Sequence, residues 1–172
     1  ISDNYIHEGI NRLKDLKLII NAGTSVYSKE ECLYSINSDL FEYIQIPINI
    51  IDLEFYKLVK NVRSKKNIVA RSIFLQGVLL NRKLFHSKVI NSNNLNYKFK
   101  IVDQIAKINN IKLSELIVGT ICSLEGIDHI IIGSTSIQSM YDNIKNSQIS
   151  VSNKIIDKLL NVSTSSDKMT NP

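Results

Sequence analysis

Cysteine is scarce in this sequence: Cys32 and Cys122 are the two, far apart, with no CxxC motif and no histidine pair near either. That spacing excludes a disulfide framework and a cysteine–histidine metal centre, and leaves two structural thiols within helical patterns, as expected in the reducing cytoplasm. Long apolar runs are missing too, so no membrane-spanning segment and no membrane partner are expected. The opening Ile1-Ser2-Asp3-Asn4 has neither an initiating Met nor a charged-then-apolar leader, and reads neither as a signal peptide nor as a natural start. His7, His86 and His129 lack the mutual spacing that metal or triad chemistry needs, and read as surface or helix-end residues.

Charge of one sign is in modest excess, 21 Lys and Arg against 16 Asp and Glu, for a net charge of +5. A basic balance is one footprint of a nucleic-acid binder. Here, however, Lys14, Lys17, Lys57, Lys60, Lys107, Lys145 and Lys158 are scattered along helical patterns without interleaved aromatics. They read as solvated helix faces, and no nucleic-acid partner is expected. The 172 residues, 44% hydrophobic and 22% charged, suit one soluble globular domain. They fall well short of the roughly 250 residues of a complete eight-stranded α/β barrel.

The most informative stretch is Asp128-His129-Ile130-Ile131-Ile132-Gly133-Ser134-Thr135-Ser136, followed by Ile137 to Ile144. A short β-branched run without alternation reads as a strand buried on both faces. It breaks at Gly133 into a hydroxyl-rich turn that opens an amphipathic helix. Such a junction aims free backbone N–H groups and the positive end of the helix dipole at one point, a ready place for a phosphate. Strand-to-helix turns of this composition also occur in α/β proteins where they bind nothing.

From the N-terminus, Ile6, Ile10 and Leu13 predict a first helix ending near Leu16, and Leu18-Ile19-Ile20 a buried strand. Ala22 to Tyr27 is a turn in which Gly23 permits close backbone approach. Ser28 and Glu31 form a capping box for a short helix through Leu33. Tyr43-Ile44-Gln45-Ile46-Pro47 is a second strand, closed by Pro47. Phe55, Leu58, Val59 and Val62 predict a helix with Arg63, Lys65 and Lys66 at its C-terminal end. Asn67 to Arg71 is a third strand, followed by an apolar loop from Ser72 to Leu80. The pattern fails from Leu80 to Asn96, a connection long enough to be functional. Phe99, Val102, Ile105 and Ala106 restore helical period; Leu113, Leu116, Ile117, Thr120, Ile121 and Leu124 form a further apolar face, with Gly126 as an αL stop. Met140 and Tyr141 read as packing residues on the helix after the fourth strand. Ser152 is expected to cap a last helix carrying Ile155, Ile156, Leu159 and Leu160. Four strands and about seven helices in alternation require a parallel sheet with right-handed crossovers.

Five blocks then stand in a recognisable order. Ala22-Gly23-Thr24-Ser25-Val26-Tyr27, Gln45-Ile46-Pro47-Ile48-Asn49, Ala70-Arg71-Ser72-Ile73-Phe74-Leu75-Gln76-Gly77, Leu113-Ser114-Glu115-Leu116, and Ile131-Ile132-Gly133-Ser134-Thr135-Ser136 through Asp142-Asn143 resemble, in order and spacing, the C-terminal half of the aldo-keto reductase family. The resemblance runs from about residue 5 to 148. It implies an α/β fold, the C-terminal half of a (β/α)8 TIM barrel with strands five to eight and their helices, left incomplete. Residues 1–162 would form this partial barrel domain, and the polar run 163–172 a flexible tail. Barrel enzymes carry their sites at the C-terminal ends of strands, often with a phosphate site after the seventh and eighth.

The resemblance also implies a cofactor, NADP(H) or NAD(H), and a small-molecule carbonyl substrate. Ser25 and Gln45 would hydrogen-bond the nicotinamide carboxamide. Arg71 stands where the family usually places an aromatic ring against the nicotinamide; a guanidinium also stacks on a conjugated ring. Ser72, Phe74 and Gln76 would line the loop over the pyrophosphate, with Gly77 letting it turn. Gly133 and Ser134 would meet the adenosine ribose and its 2′-phosphate, near Thr135 and Ser139, while Asp142 and Asn143 would face the adenine. No Lys or Arg stands at Gly133, Thr135 or Ser139, where strong NADPH preference places one, so NADP and NAD both remain open. Gln45 also fits a polar barrel-interior residue, and Arg71 also fits pairing with a carboxylate from a neighbouring loop. The family's catalytic Asp, Tyr, Lys and His belong to the first four strand units, which match nothing here; no catalytic residue is assigned, and Tyr27 and Tyr43 do not replace the acid. Two readings follow from the resemblance: the cofactor-binding part of an aldo/keto oxidoreductase, inactive alone and needing the N-terminal half of the barrel as partner, or a non-enzymatic half-barrel that binds a nucleotide or a partner.

Overall fold

A computed structural model of the chain describes residues 4–62, 66–84 and 93–163. Its sheet has four parallel strands, β1 (Gly23–Ser25), β2 (Tyr43–Pro47), β3 (Asn67–Arg71) and β4 (His129–Ile130), in the order β1-β2-β3-β4. Spatial order therefore equals chain order, and no reversal point occurs. A doubly wound sheet reverses its strand order and takes helices on both faces, whereas right-handed crossovers between successive neighbours keep all helices on one. Burial alternates accordingly. Ile44, Ile46, Ile68 and Ala70 are buried under the helices, while Tyr43, Gln45, Asn67, Val69 and Arg71 stay half-exposed on the opposite face. This is one side of a (β/α)8 barrel, with the sheet left open at β1 and β4 among the described residues.

The helices are α1 (Asn4–Asp15), α2 (Lys29–Asn37), α3 (Glu54–Val59), α4 (Asn93–Ile108), α5 (Leu113–Ser123), α6 (Ile137–Ser147) and α7 (Asn153–Val162). β2 and β3 run over the residues expected from sequence and pair in register from Tyr43↔Asn67 to Pro47↔Arg71. The Ser28 capping box opens α2 as expected, with Ser28 Oγ accepting from the Glu31 N–H at 3.1 Å. Gly126 takes φ +90° after α5. At Gly23 a Cβ would lie 2.9 Å from Tyr43 Cβ, so the close approach expected there is real. α5 is the most deeply buried helix, and its Gly119 backs onto the chain after α6, where an added Cβ would meet the Ile149 carbonyl oxygen at 2.8 Å.

The edges depart from expectation. Leu18-Ile19-Ile20 is not a strand: the ladder starts where the Ala22 carbonyl accepts from Tyr43, and Ile20 is 89% exposed. Among the described residues β1 has a neighbour on one side only, so the apolar run before it has no sheet to enter. β4 is likewise not buried on both faces, since His129 and Ile131 are exposed beside a bare edge. Met140 and Tyr141 do not pack inward either. With Ile137 and Ile144 they form an i, i+3, i+4, i+7 stripe on α6 that is exposed throughout. Lys66 does not sit at the end of α3; its Nζ donates to the Ser38 and Phe41 carbonyls ahead of β2. Ser152 occupies the N-cap of α7 without a side-chain cap bond. Ser163, counted with the tail, is buried, and its Oγ accepts from the Leu53 N–H at 2.5 Å. Arg63, Lys65, His86, and 164–172 of the expected tail lie outside the described residues.

Both thiols are free; Cys32 is buried, and burial pushes its thiol up to about 11, whereas Cys122 is exposed. α1 buries none of its residues and is held by polar contacts. Lys14 Nζ lies 2.6 Å from Glu42 Oε1, and Glu42 Oε2 accepts from the Ala22 N–H at 2.7 Å. Partial burial pushes the Glu42 carboxyl up, but the Lys14 ammonium and the Ala22 amide outweigh it, leaving its pKa below the ordinary 4.5.

Two outcomes follow. Gly119→Ala forces α5 away from the backbone behind it and should lower stability by about 1–3 kcal/mol, read as a lower urea midpoint. The stability difference between the protein and Glu42→Gln should be fully present above the ordinary carboxylate pKa and vanish as pH falls through the lower folded value. Because Glu42 is a third exposed, its size should be no more than about 1 kcal/mol.

Candidate functional site

Two chain segments that leave adjacent strands meet in one cleft. The first follows β3. Ser72 (φ +62°), Leu75 (+49°), Gln76 (+53°) and Gly77 (+88°) all occupy the left-handed region, and turn bonds close the loop, Leu75 N–H to Ser72 O at 2.8 Å and Gly77 N–H to Phe74 O at 3.0 Å. A non-glycine residue there costs on the order of 1 kcal/mol, so the conformation needs anchoring. Leu75 and Leu79 supply it by inserting into the core, which leaves Ser72, Phe74 and Gln76 on the open side.

The second segment follows β4. Ile131 keeps the ladder by donating to the Ala70 carbonyl at 2.8 Å, and the chain then turns through Gly133 to the N-terminus of α6. Ser136 caps that helix reciprocally with Ser139: each backbone N–H finds the other's hydroxyl, at 3.1 and 3.2 Å. The N–H groups of Ile137 and Gln138 in the first turn then have no intrahelical acceptor. Asn143 Nδ2 donates to Ser134 Oγ at 3.1 Å, which leaves the Ser134 hydrogen free to donate in turn.

The cleft between the segments has a volume of about 550 Å³ and is lined by eight of the residues expected from sequence: Ser72, Phe74, Gln76, Gly133, Ser134, Thr135, Ser139 and Asn143. Its remaining walls are Ile73, Gly77, Leu80, Ile131 and Ile132. No charged side chain lines it among the described residues. Hydroxyls, amides and a helix N-terminus stand over apolar walls, a donor set that fits a phosphorylated ribose with a flat base beside it. Sequence reasoning missed Ile73, Leu80, Ile131 and Ile132 as lining residues, because an apolar run carries no sign of which of its members face a cleft.

Four expected residues lie outside this lining. Asp142 is on the exposed side of α6, where its Oδ1 accepts from Gln138 Nε2 at 2.9 Å. Ser25, Gln45 and Arg71 form a second group along β1, β2 and β3. Ser25 Oγ donates to Gln45 Oε1 at 2.9 Å, across the register that sets the two opposite each other. Arg71 pairs with no carboxylate among the described residues. Its Nη1 donates to Ser72 Oγ at 3.1 Å, its Nη2 to the Val26 carbonyl at 3.2 Å, and its guanidinium carbon sits 4.5 Å from the centre of the Tyr27 ring. Its buried Nε has no hydrogen-bond partner. Tyr27 was not a candidate on sequence, since its contact with Arg71 joins residues on different strand exits. Ser72 belongs to both groups, so they are continuous. Among the described residues no group of three His, Cys, Asp or Glu side chains is placed to hold a metal.

No family model matches the sequence, and no curated protein matches it. Solved structures do. The chain is similar to the aldo-keto reductase AKR11C1 of Bacillus halodurans in its holo form, at 15% identity and a TM-score of 0.72, covering 95% of this chain and 58% of that one. The apo form of the same protein gives 15% identity and a TM-score of 0.74, covering 99% and 62%. A thermostable aldo-keto reductase, Tm1743, in complex with the inhibitor epalrestat, gives 17% identity and a TM-score of 0.65, covering 91% and 53%. Nearly the whole chain thus takes an aldo-keto reductase-like fold, and it spans between half and two thirds of the length of the structures it matches.

Proposed function

We propose that this chain is the cofactor-gripping part of a cytoplasmic aldo/keto oxidoreductase that uses NADP(H) or NAD(H) and acts on a small carbonyl or alcohol substrate. The observation that carries the reading is the shared cleft: the exits of β3 and β4 converge on one donor-rich groove, and its Ser72 is hydrogen-bonded to Arg71 of the neighbouring group that includes Gln45 and Ser25. A dinucleotide needs such a series of groups, donors for its phosphates, apolar walls for its base and an amide for its carboxamide.

In this reading the α6 N-terminus and the Ser134 hydroxyl hold the phosphate on the adenosine side, and Ile131, Ile132 and Leu80 flank the base. The left-handed loop from Ser72 to Gly77 covers the pyrophosphate. At the far end the amide NH2 of Gln45, free because its oxygen is engaged by Ser25, donates to the carboxamide oxygen of the nicotinamide. Arg71 lies against the ring. The cofactor supplies hydride transfer to or from carbonyl carbon; these residues fix which face of the ring is presented. Proton transfer is assigned to no residue of this chain. It would come from a complementary N-terminal barrel half, for which the bare edges of β1 and β4 and the exposed stripe of Ile137, Met140, Tyr141 and Ile144 offer a matching surface. The fragment alone would then bind cofactor without turning it over.

A titration tests this directly. NADPH added to the purified protein should bind saturably. Gly133→Val should weaken that binding at least tenfold without changing the unfolding midpoint, because a Cβ at Gly133 meets nothing within 4 Å and so projects into open space beside the cleft. No saturable binding below millimolar NADPH, or unchanged affinity in the valine variant, would overturn the proposal.

A further inference from the structure

Beside the cleft, outside its lining but hydrogen-bonded to its Ser72, stands one cation with no carboxylate partner among the described residues. Arg71 is half-buried and fixed by β3 register opposite Pro47; its partners are neutral, a hydroxyl, a carbonyl and an aromatic face, and its buried Nε has no hydrogen-bond partner. Tyr27 covers one face of the guanidinium and stiffens it, leaving its charge undiminished by any carboxylate among the described residues.

Resting on the dinucleotide reading above, we propose that Arg71 makes the site discriminate the oxidation state of the cofactor, favouring the reduced form over the oxidised. The oxidised nicotinamide ring carries a positive charge; the dihydronicotinamide ring is neutral. An aromatic side chain against the ring attracts the cationic form by cation–π interaction. A guanidinium repels it. Adenosine, riboses and pyrophosphate are identical in the two forms, so every attraction between Arg71 and the phosphates cancels in the ratio of their dissociation constants. What remains is the ring charge alone.

The thermodynamic sign is fixed. Tighter binding of the reduced form favours reduction of the bound cofactor, so the bound couple sits at a more positive potential than the free one. A tenfold preference corresponds to about 30 mV for this two-electron couple. The site would thus bind the hydride donor readily and release its oxidised product quickly, in exchange for a somewhat weaker bound reductant.

Isothermal titration of the protein with NADPH and with NADP+ measures the ratio. The oxidised form should bind about tenfold more weakly, as expected for a partly screened pair of like charges near the surface. Arg71→Gln, planar and neutral, should bring the ratio to near one, while Arg71→Lys should keep most of the preference. Without any substitution, the wild-type ratio should fall on going from 50 mM to 500 mM NaCl, which keeps the test valid even where a variant fails to fold. Wild-type protein that binds both forms equally, or a ratio unmoved by Arg71→Gln and by salt, overturns this inference and leaves the dinucleotide reading standing. Wild-type protein that binds neither form overturns both.

Discussion

Each strand of the sheet lies parallel to its neighbour in sequence, and this arrangement decides where chemistry can happen. Parallel neighbours send their exits to one end of the sheet, so the segments after β1, β2, β3 and β4 are forced together although up to about a hundred residues separate them in the chain. The alternation of Ile44, Ile46, Ile68 and Ala70 with Tyr43, Gln45, Asn67 and Arg71 does the rest. Apolar members face the helices and hold the layers together. Polar members face the other way, and the last of each series, Gln45 and Arg71, stand at the exits.

Anchors behind the sheet keep those exits in place. Asn49 is buried just past β2, and its Oδ1 accepts from the Ile51 and Asp52 N–H groups, both at 3.1 Å, folding a run of isoleucines into a tight turn. Lys98, on α4, is also buried and donates to the Ile51 carbonyl at 3.1 Å. Ser163 closes the same region by accepting from Leu53. Three distant parts of the chain are therefore pinned to one turn by groups whose removal would strand buried backbone polar atoms. The loop with four left-handed residues after β3 is anchored by Leu75 and Leu79 in the same core, so its strain is offset by burial near the site itself.

How much of this was legible in the sequence depended on whether an element has neighbours on both sides. β2 and β3 are central, and their bounds and facing are written in their own alternation. β1 and β4 are edges. Leu18-Ile19-Ile20 and Ile130-Ile131-Ile132 look as apolar as any interior strand, and nothing in either run says that no neighbour covers it among the described residues. The stripe on α6 misleads in the same way: period 3.6 identifies the apolar face but not what meets it. Of the site, the glycine turn at 133, the hydroxyls and the capping serine were readable because capping is local. The contact of Tyr27 with Arg71 was not, since it depends on register across two strand pairs. Ser163 was read as tail because one buried hydroxyl at a helix end leaves no periodic trace.

Charge is unevenly distributed across the site. A helix N-terminus and neutral hydroxyls hold an anion through fixed dipoles, whose field falls off within a turn and does not discriminate strongly among singly and doubly charged groups. In the proposed reading, that end of the cleft recognises phosphate as a shape with acceptors rather than as a strong charge, which fits the absence of Lys or Arg at Gly133, Thr135 and Ser139 and leaves NADP(H) and NAD(H) closer in affinity than a basic site would. The formal charge stands instead at Arg71, outside the lining and joined to it through Ser72. In that reading, a dinucleotide would meet two unlike poles, one of oriented N–H groups and one of guanidinium. One orientation would then set its phosphates on the first and a neutral ring beside the second.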